Sequence, residues 1–149
     1  MTDTKSDKST SFNGSRFSLI ELLSIIILVG LVFVFAVPVN QAKLNRVRVA
    51  DAVQTINFIG EKAEQFKDNP DNGYYPVDLS QLNLGNQIES KYFKYTIVSD
   101  DSTIVAETTQ DYGKKGAFLI YNLSSKQYSI GKGESDNTSQ KYINENWLP

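Results

Sequence analysis

The pattern of apolar and polar positions divides the chain into four stretches. Residues 1–16, "MTDTKSDKSTSFNGSR", are polar throughout and read as a hydrophilic leader. From Phe17 to Val39 comes a run of 23 residues in which Glu21 is the only charge. At 1.5 Å per residue such a run forms a helix of roughly 34 Å, enough for a hydrocarbon core of about 30 Å. It is also longer than the 7–15 apolar residues of a cleavable secretory signal, so a membrane-spanning helix is expected.

Beyond Pro38 the periodicity changes without a stop signal. Val49, Ala52, Ile56, Ile59, Ala63 and Phe66 follow one another at intervals of 3, 4, 3, 4 and 3, which places them on one helix face. This is the pattern of a stripe buried in a domain core, with charged residues on the other faces. The turn formers Asp68-Asn69-Pro70-Asp71-Asn72-Gly73 end it. A nearly continuous helix of roughly 76 Å is therefore expected over residues 17–67, with Gly60 as a soft position within it. The rest reads as loop and then sheet. "YYPVDLSQLNL" is a Pro-broken stretch with Leu79 and Leu82 free to pack. Phe93, Tyr95 and Ile97 alternate on one strand; residues 102–108, 117–123 and 126–130 are three further strands. Short connections imply antiparallel neighbours, and the 49–66 stripe is the nearest cover for their apolar face. "GKGESDNTSQ" reads as a polar loop, followed by Trp147 and Leu148 as anchors. The expected class is α+β: 17–39 as the membrane half of the helix, 40–67 as its amphipathic half, and 68–149 as a loop-plus-sheet head.

Composition narrows the chemistry. The 149 residues carry a net charge of -2, with a pI of about 5.1, so no broad attraction to nucleic acid is expected. Cys and His are absent, which removes disulfides, thiol nucleophiles, Ser-His pairs and the usual zinc ligands. No nucleophile, base or metal constellation emerges, so no enzyme, cofactor or metal is expected. Glu134, Asp136 and Asn137 offer oxygens for calcium but lack EF-hand spacing, and a solvated loop is the default. Lys43, Arg46 and Arg48 read as a solvated basic turn just past the apolar run. Three cations precede the run (Lys5, Lys8, Arg16) and those three follow it, so the positive-inside rule ties. The larger segment follows the span and long segments translocate regardless of charge, which favours the amino end in the cytoplasm.

"FSLIEL", with Gly30 thirteen residues after Phe17 and Pro38 eight beyond that, resembles the amino-terminal segment of type IV pilins and type II secretion pseudopilins. In that family the mature chain begins with Phe, has Glu as its fifth residue, and carries a helix-weakening Gly and Pro further on. The Tyr-Pro stretch "GYYPVDLSQL" is similar to the one after the helix in many members. The resemblance implies a long helix on an antiparallel sheet and a subunit that polymerises into a filament. It further implies leader removal by a prepilin peptidase, N-methylation of Phe17, and Glu21 paired with the amino terminus of a neighbouring copy. Gly30 and Pro38 would let the packed helix unwind locally. Partners would be further copies, the peptidase and assembly machinery, and membrane lipid before assembly. The place would be a bacterial inner membrane first, then a surface pilus or a periplasmic pseudopilus.

One position departs from the pattern. The family's peptidase cuts after a Gly directly before the first mature residue, whereas here Arg16 precedes Phe17 and the nearest Gly is Gly14. Cutting after Gly14 leaves Ser15 and Arg16 in front of Phe17; cutting after Arg16 keeps the register. The alternative reading is a permanently anchored single-span envelope protein whose sheet binds a ligand or partner. In that reading Glu21 simply reaches the headgroups from near the end of its helix.

Overall fold

A computed structural model describes residues 18–133 and 135–149, and of residues 37–39 the backbone. The leader, Phe17 and Glu134 therefore lie outside the described residues. The chain is α+β, one long helix packed on a four-stranded antiparallel sheet, as expected. It divides into two compact units, residues 1–38 and 39–149.

Helix α1 runs Leu19–Asp68. Within the second unit its stripe is buried as the 3-and-4 spacing dictates: Val49, Ala52, Ile56, Ile59 and Ala63 are inaccessible to solvent. Val53 joins them, while Phe66 stays half-buried and meets Tyr74 edge-on at 5.9 Å. Strands β1 (Phe93–Val98), β2 (Thr103–Thr108), β3 (Phe118–Asn122) and β4 (Gln127–Ile130) form a meander in that order. Directly paired residues share a face of a sheet. The pairs Tyr95–Ala106, Ala106–Leu119 and Leu119–Ile130 thus form one row, and Ile97–Ile104, Ile104–Tyr121 and Tyr121–Tyr128 form another. These rows, together with Phe93, make up the sheet's share of the core around the α1 stripe. Gly60 is buried where β3 comes closest: a Cβ there would sit 3.4 Å from Tyr121 Cε1 and 3.9 Å from Leu123 Cδ2.

The connections hold more order than their composition announces. Short 3₁₀ turns occupy Leu79–Leu82, Gly85–Ile88, Gln110–Tyr112 and Glu145–Trp147. The first is held by a capping box between Asp78 and Gln81. Leu79, Leu82, Trp147 and Leu148 pack on the core as expected. The stretch read as a polar loop instead contains a short helix, α2 (Asn137–Tyr142), followed by the fully buried Ile143.

Tyr112, at the end of the third 3₁₀ turn, is a core residue. Its ring meets Phe93 at 5.2 Å and its hydroxyl donates to the Tyr142 carbonyl at 2.9 Å. Burial pushes this phenol up to about 12, against an opposing pull from the Arg48 guanidinium. Burial likewise raises Tyr128, whose hydroxyl donates to Asn57 Oδ1 at 2.6 Å.

Two outcomes follow. Gly60→Ala should be neutral or stabilise by up to about 1 kcal/mol, because helix propensity improves and the new methyl just fits. Gly60→Leu should destabilise by about 1–3 kcal/mol, because its branches run into Tyr121 and Leu123; urea unfolding of the detergent-solubilised chain measures both. Because the folded state holds Tyr112 and Tyr128 neutral, their contribution is complete below pH ~10, where a free phenol ionises. That of Tyr112 is lost as pH rises through about 12 and that of Tyr128 at higher pH still, so spectrophotometric titration should show these tyrosines ionising only as the head unfolds.

Candidate functional site: an uncovered apolar helix with one carboxylate

In the first unit, α1 from Leu19 to Phe35 presents apolar side chains all round, and none of them is covered. Leu19 is 81 % exposed and Phe35 70 %, with every large apolar residue between them exposed as well. A helix apolar on all sides is stable only inside an apolar medium or a larger core. This segment is a candidate membrane span by length and composition.

Its amino end is built by local chemistry. Ser18 precedes the first helical residue, and its Oγ accepts from the Ile20 N–H at 3.3 Å. Three residues on, Glu21 Oε2 accepts from the Ser18 N–H at 2.9 Å. Together these form a reciprocal cap, which satisfies backbone donors that an apolar medium would leave unpaired. The carboxylate also lies at the positive end of the helix dipole. Glu21 thus has a partner within its own chain, and Oε1 is unengaged among the described residues. The Ser-x-x-Glu signature within "FSLIEL" was the available signal for this role. One turn on, the Ser24 hydroxyl donates to the Ile20 carbonyl at 2.8 Å, which removes a polar group from the apolar surface.

The other residues singled out from the pattern do not converge with Glu21. Gly30 lies about 13.5 Å further along and roughly half a turn around the helix from it. A Cβ at Gly30 would meet nothing within 4 Å, so packing inside this chain does not require the glycine. Pro38 continues the helical backbone without supplying its N–H, so the Val34 carbonyl loses its usual intrahelical donor. Gly14, Ser15, Arg16 and Phe17, the residues bearing on leader cleavage and N-methylation, lie outside the described residues.

Two polar groups differ from their expected roles. Arg48 is half-buried, not solvated. Its guanidinium stacks over the Tyr92 ring at 4.3 Å and donates to the Tyr112 carbonyl at 2.9 Å and to Asn45 Oδ1 at 3.3 Å. No spacing in the sequence signals this contact, because its partners lie far along the chain; Lys43 and Arg46 remain exposed as expected.

Asp136, considered for calcium, instead caps α2. Oδ1 accepts from the Ser139 N–H at 3.0 Å, while Oδ2 accepts from Ser139 Oγ at 2.8 Å and the Lys132 N–H at 3.2 Å. These bonds, the Ser139 N–H foremost, hold its carboxyl below the usual range. Asn137 is the first residue of the helix that Asp136 caps, and Glu134 lies outside the described residues. Among the described residues no cluster of acidic groups is arranged to hold a metal.

Asp136→Ala should lower the melting temperature at neutral pH and leave little further loss on acidification. In the parent chain the carboxylate's contribution is complete above the ordinary value of about 3.9 and disappears as pH falls below it. Thermal melts of both chains between neutral and strongly acidic pH check the difference. Comparison with protein-family models finds no match to the chain, and comparison with curated proteins finds none either.

Proposed function

We propose that the protein is a structural subunit of a type IV pilus or a related pseudopilus, inserted in a membrane as a single-span precursor and polymerised through the apolar half of α1. The observation that carries this reading is the uncovered helix with one carboxylate near its amino end. Phe17, Glu21, Gly30 and Pro38 follow one another in the sequence at the family's spacing. The α+β head supports the same reading, since its core is complete without the Leu19–Phe35 surface, which leaves that surface free to be buried between copies.

In a filament core, lipid contact is replaced by packing against identical helices. A carboxylate moved there costs free energy unless it meets a cation, and the amino terminus released by leader cleavage is a cation of suitable position. Glu21 then sets the axial stagger between copies. Pro38, with its missing backbone bond, and Gly30, with its open surface, give the 30–38 stretch a low cost of local unwinding. The Glu21–Ser18 capping bond favours a second reading, a permanent anchor in which the carboxylate only closes the helix end.

Processing separates the two readings. In cells with a prepilin peptidase, mass spectrometry of the mature chain should find the first 14 or 16 residues removed, according to whether the cut follows Gly14 or Arg16. Glu21→Ala should insert normally but give few or short sheared filaments. A full-length mature chain, or normal filaments from Glu21→Ala, would reject the assembly role.

A further inference from the structure

Arg48 ties two separate basic segments of the second unit together. On α1, residues 39–50 contain Lys43, Arg46 and Arg48 and no acid. Arg48 Nη1 donates to the Tyr112 carbonyl at 2.9 Å, and its guanidinium lies over the Tyr92 and Tyr112 rings. Tyr112 leads directly into Gly113-Lys114-Lys115-Gly116, so the Cα atoms of Lys114 and Lys115 lie within roughly 8 and 11 Å of its own. That loop is fixed at its other side by Thr108, whose Oγ1 donates to the Lys114 carbonyl at 2.6 Å and whose carbonyl accepts from the Gly116 N–H at 3.2 Å. Lys43, Arg46, Lys114 and Lys115 are all exposed. The acid nearest the loop in sequence, Asp111, lies 4.0 Å from Lys91. Arg48 thus brings the exposed Lys114–Lys115 loop to the stretch of α1 that carries the exposed Lys43 and Arg46, in a chain whose net charge is -2.

We propose that Lys43, Arg46, Lys114 and Lys115 form a surface that binds the anionic headgroups of a lipid bilayer. The inference rests on Leu19–Phe35 spanning a membrane, not on polymerisation. The apolar run ends at Val39, and Lys43 follows within about one helical turn, at the level where headgroups begin. Each Lys or Arg near an anionic surface raises its occupancy about fivefold, and the attraction fades within a Debye length. Loop and helix together therefore hold the head against an anionic leaflet and release it to a neutral one. Nucleic acid offers the same phosphate chemistry, but the apolar run that ends four residues before Lys43 favours lipid.

Because the chain has no Cys, a single fluorophore can be placed at exposed Gln110 through Gln110→Cys. The full-length chain is inserted into phosphatidylcholine vesicles, with or without phosphatidylglycerol, each carrying a headgroup-linked quencher. Quenching should be at least about twofold stronger in the anionic vesicles, and the contrast should vanish in high salt. It should also vanish when Lys43, Arg46, Lys114 and Lys115 are all replaced by Gln, and survive Lys67→Gln with Lys126→Gln at the far end of α1. Equal quenching in both lipids, or a contrast that survives the fourfold change, overturns the proposal. So does salt-sensitive binding of duplex DNA by the same four residues without any lipid contrast. Extraction of the chain from vesicles by alkaline carbonate would overturn the span and this surface with it. Filament assembly does not enter the assay, so failure of the pilus reading leaves its outcome untouched.

Discussion

Solvent preference along one helix is the constraint on which the structure depends. Up to Phe35, α1 is apolar on every side; from Val49 it is apolar on a single stripe. The first pattern is stable only where no side faces water, and the second only where one side is covered. The antiparallel meander supplies that cover. Removing the stripe would leave the sheet with an open apolar face, while removing the sheet would leave an amphipathic helix with its apolar stripe in water.

Close approach of the two layers governs the details. Gly60 lets Tyr121 and Leu123 come near the helix backbone. Tyr128 closes the same side, with its hydroxyl bonded to Asn57 and directed at the Val53 carbonyl. At the opposite end of the stripe Arg48 does a similar job with different chemistry, since its long stem and planar head cover aromatic rings while reaching a main-chain carbonyl. Buried polar side chains are treated consistently: Thr108 and Ser139 each bridge two backbone or side-chain groups, and none among the described residues lacks a partner.

Function on the proposed reading follows from the half of α1 that the head does not use. A self-sufficient head and an unsatisfied helix let the chain be stable in two media, lipid as a precursor and helix-packed protein as a filament. Glu21 is the group whose partner would change between them. Its capping bond to Ser18 engages one carboxylate oxygen, so closing the helix end and meeting a neighbouring cation are compatible roles.

Periodicity determined the elements and their sides. The 3-and-4 spacing of Val49 to Ala63 is a local property, so the buried stripe was readable, as were the alternation of Phe93, Tyr95 and Ile97 and the turn residues that make the sheet antiparallel. The reciprocal bonds of Ser18 and Glu21 that close the helix end lie within four residues, so their Ser-x-x-Glu spacing is likewise contained in the sequence. Contacts over long separations were decided by the tertiary structure alone. Arg48 meets Tyr112, 64 residues away, and thereby becomes a half-buried brace instead of a solvated cation. Asp136 becomes a helix cap and not a solvated loop residue, because Ser139 is held beneath β3 by the Phe118 N–H. Local pattern specifies which face an element buries; which distant partner a polar side chain finds there depends on the assembled fold, because that choice is made by geometry no short segment contains.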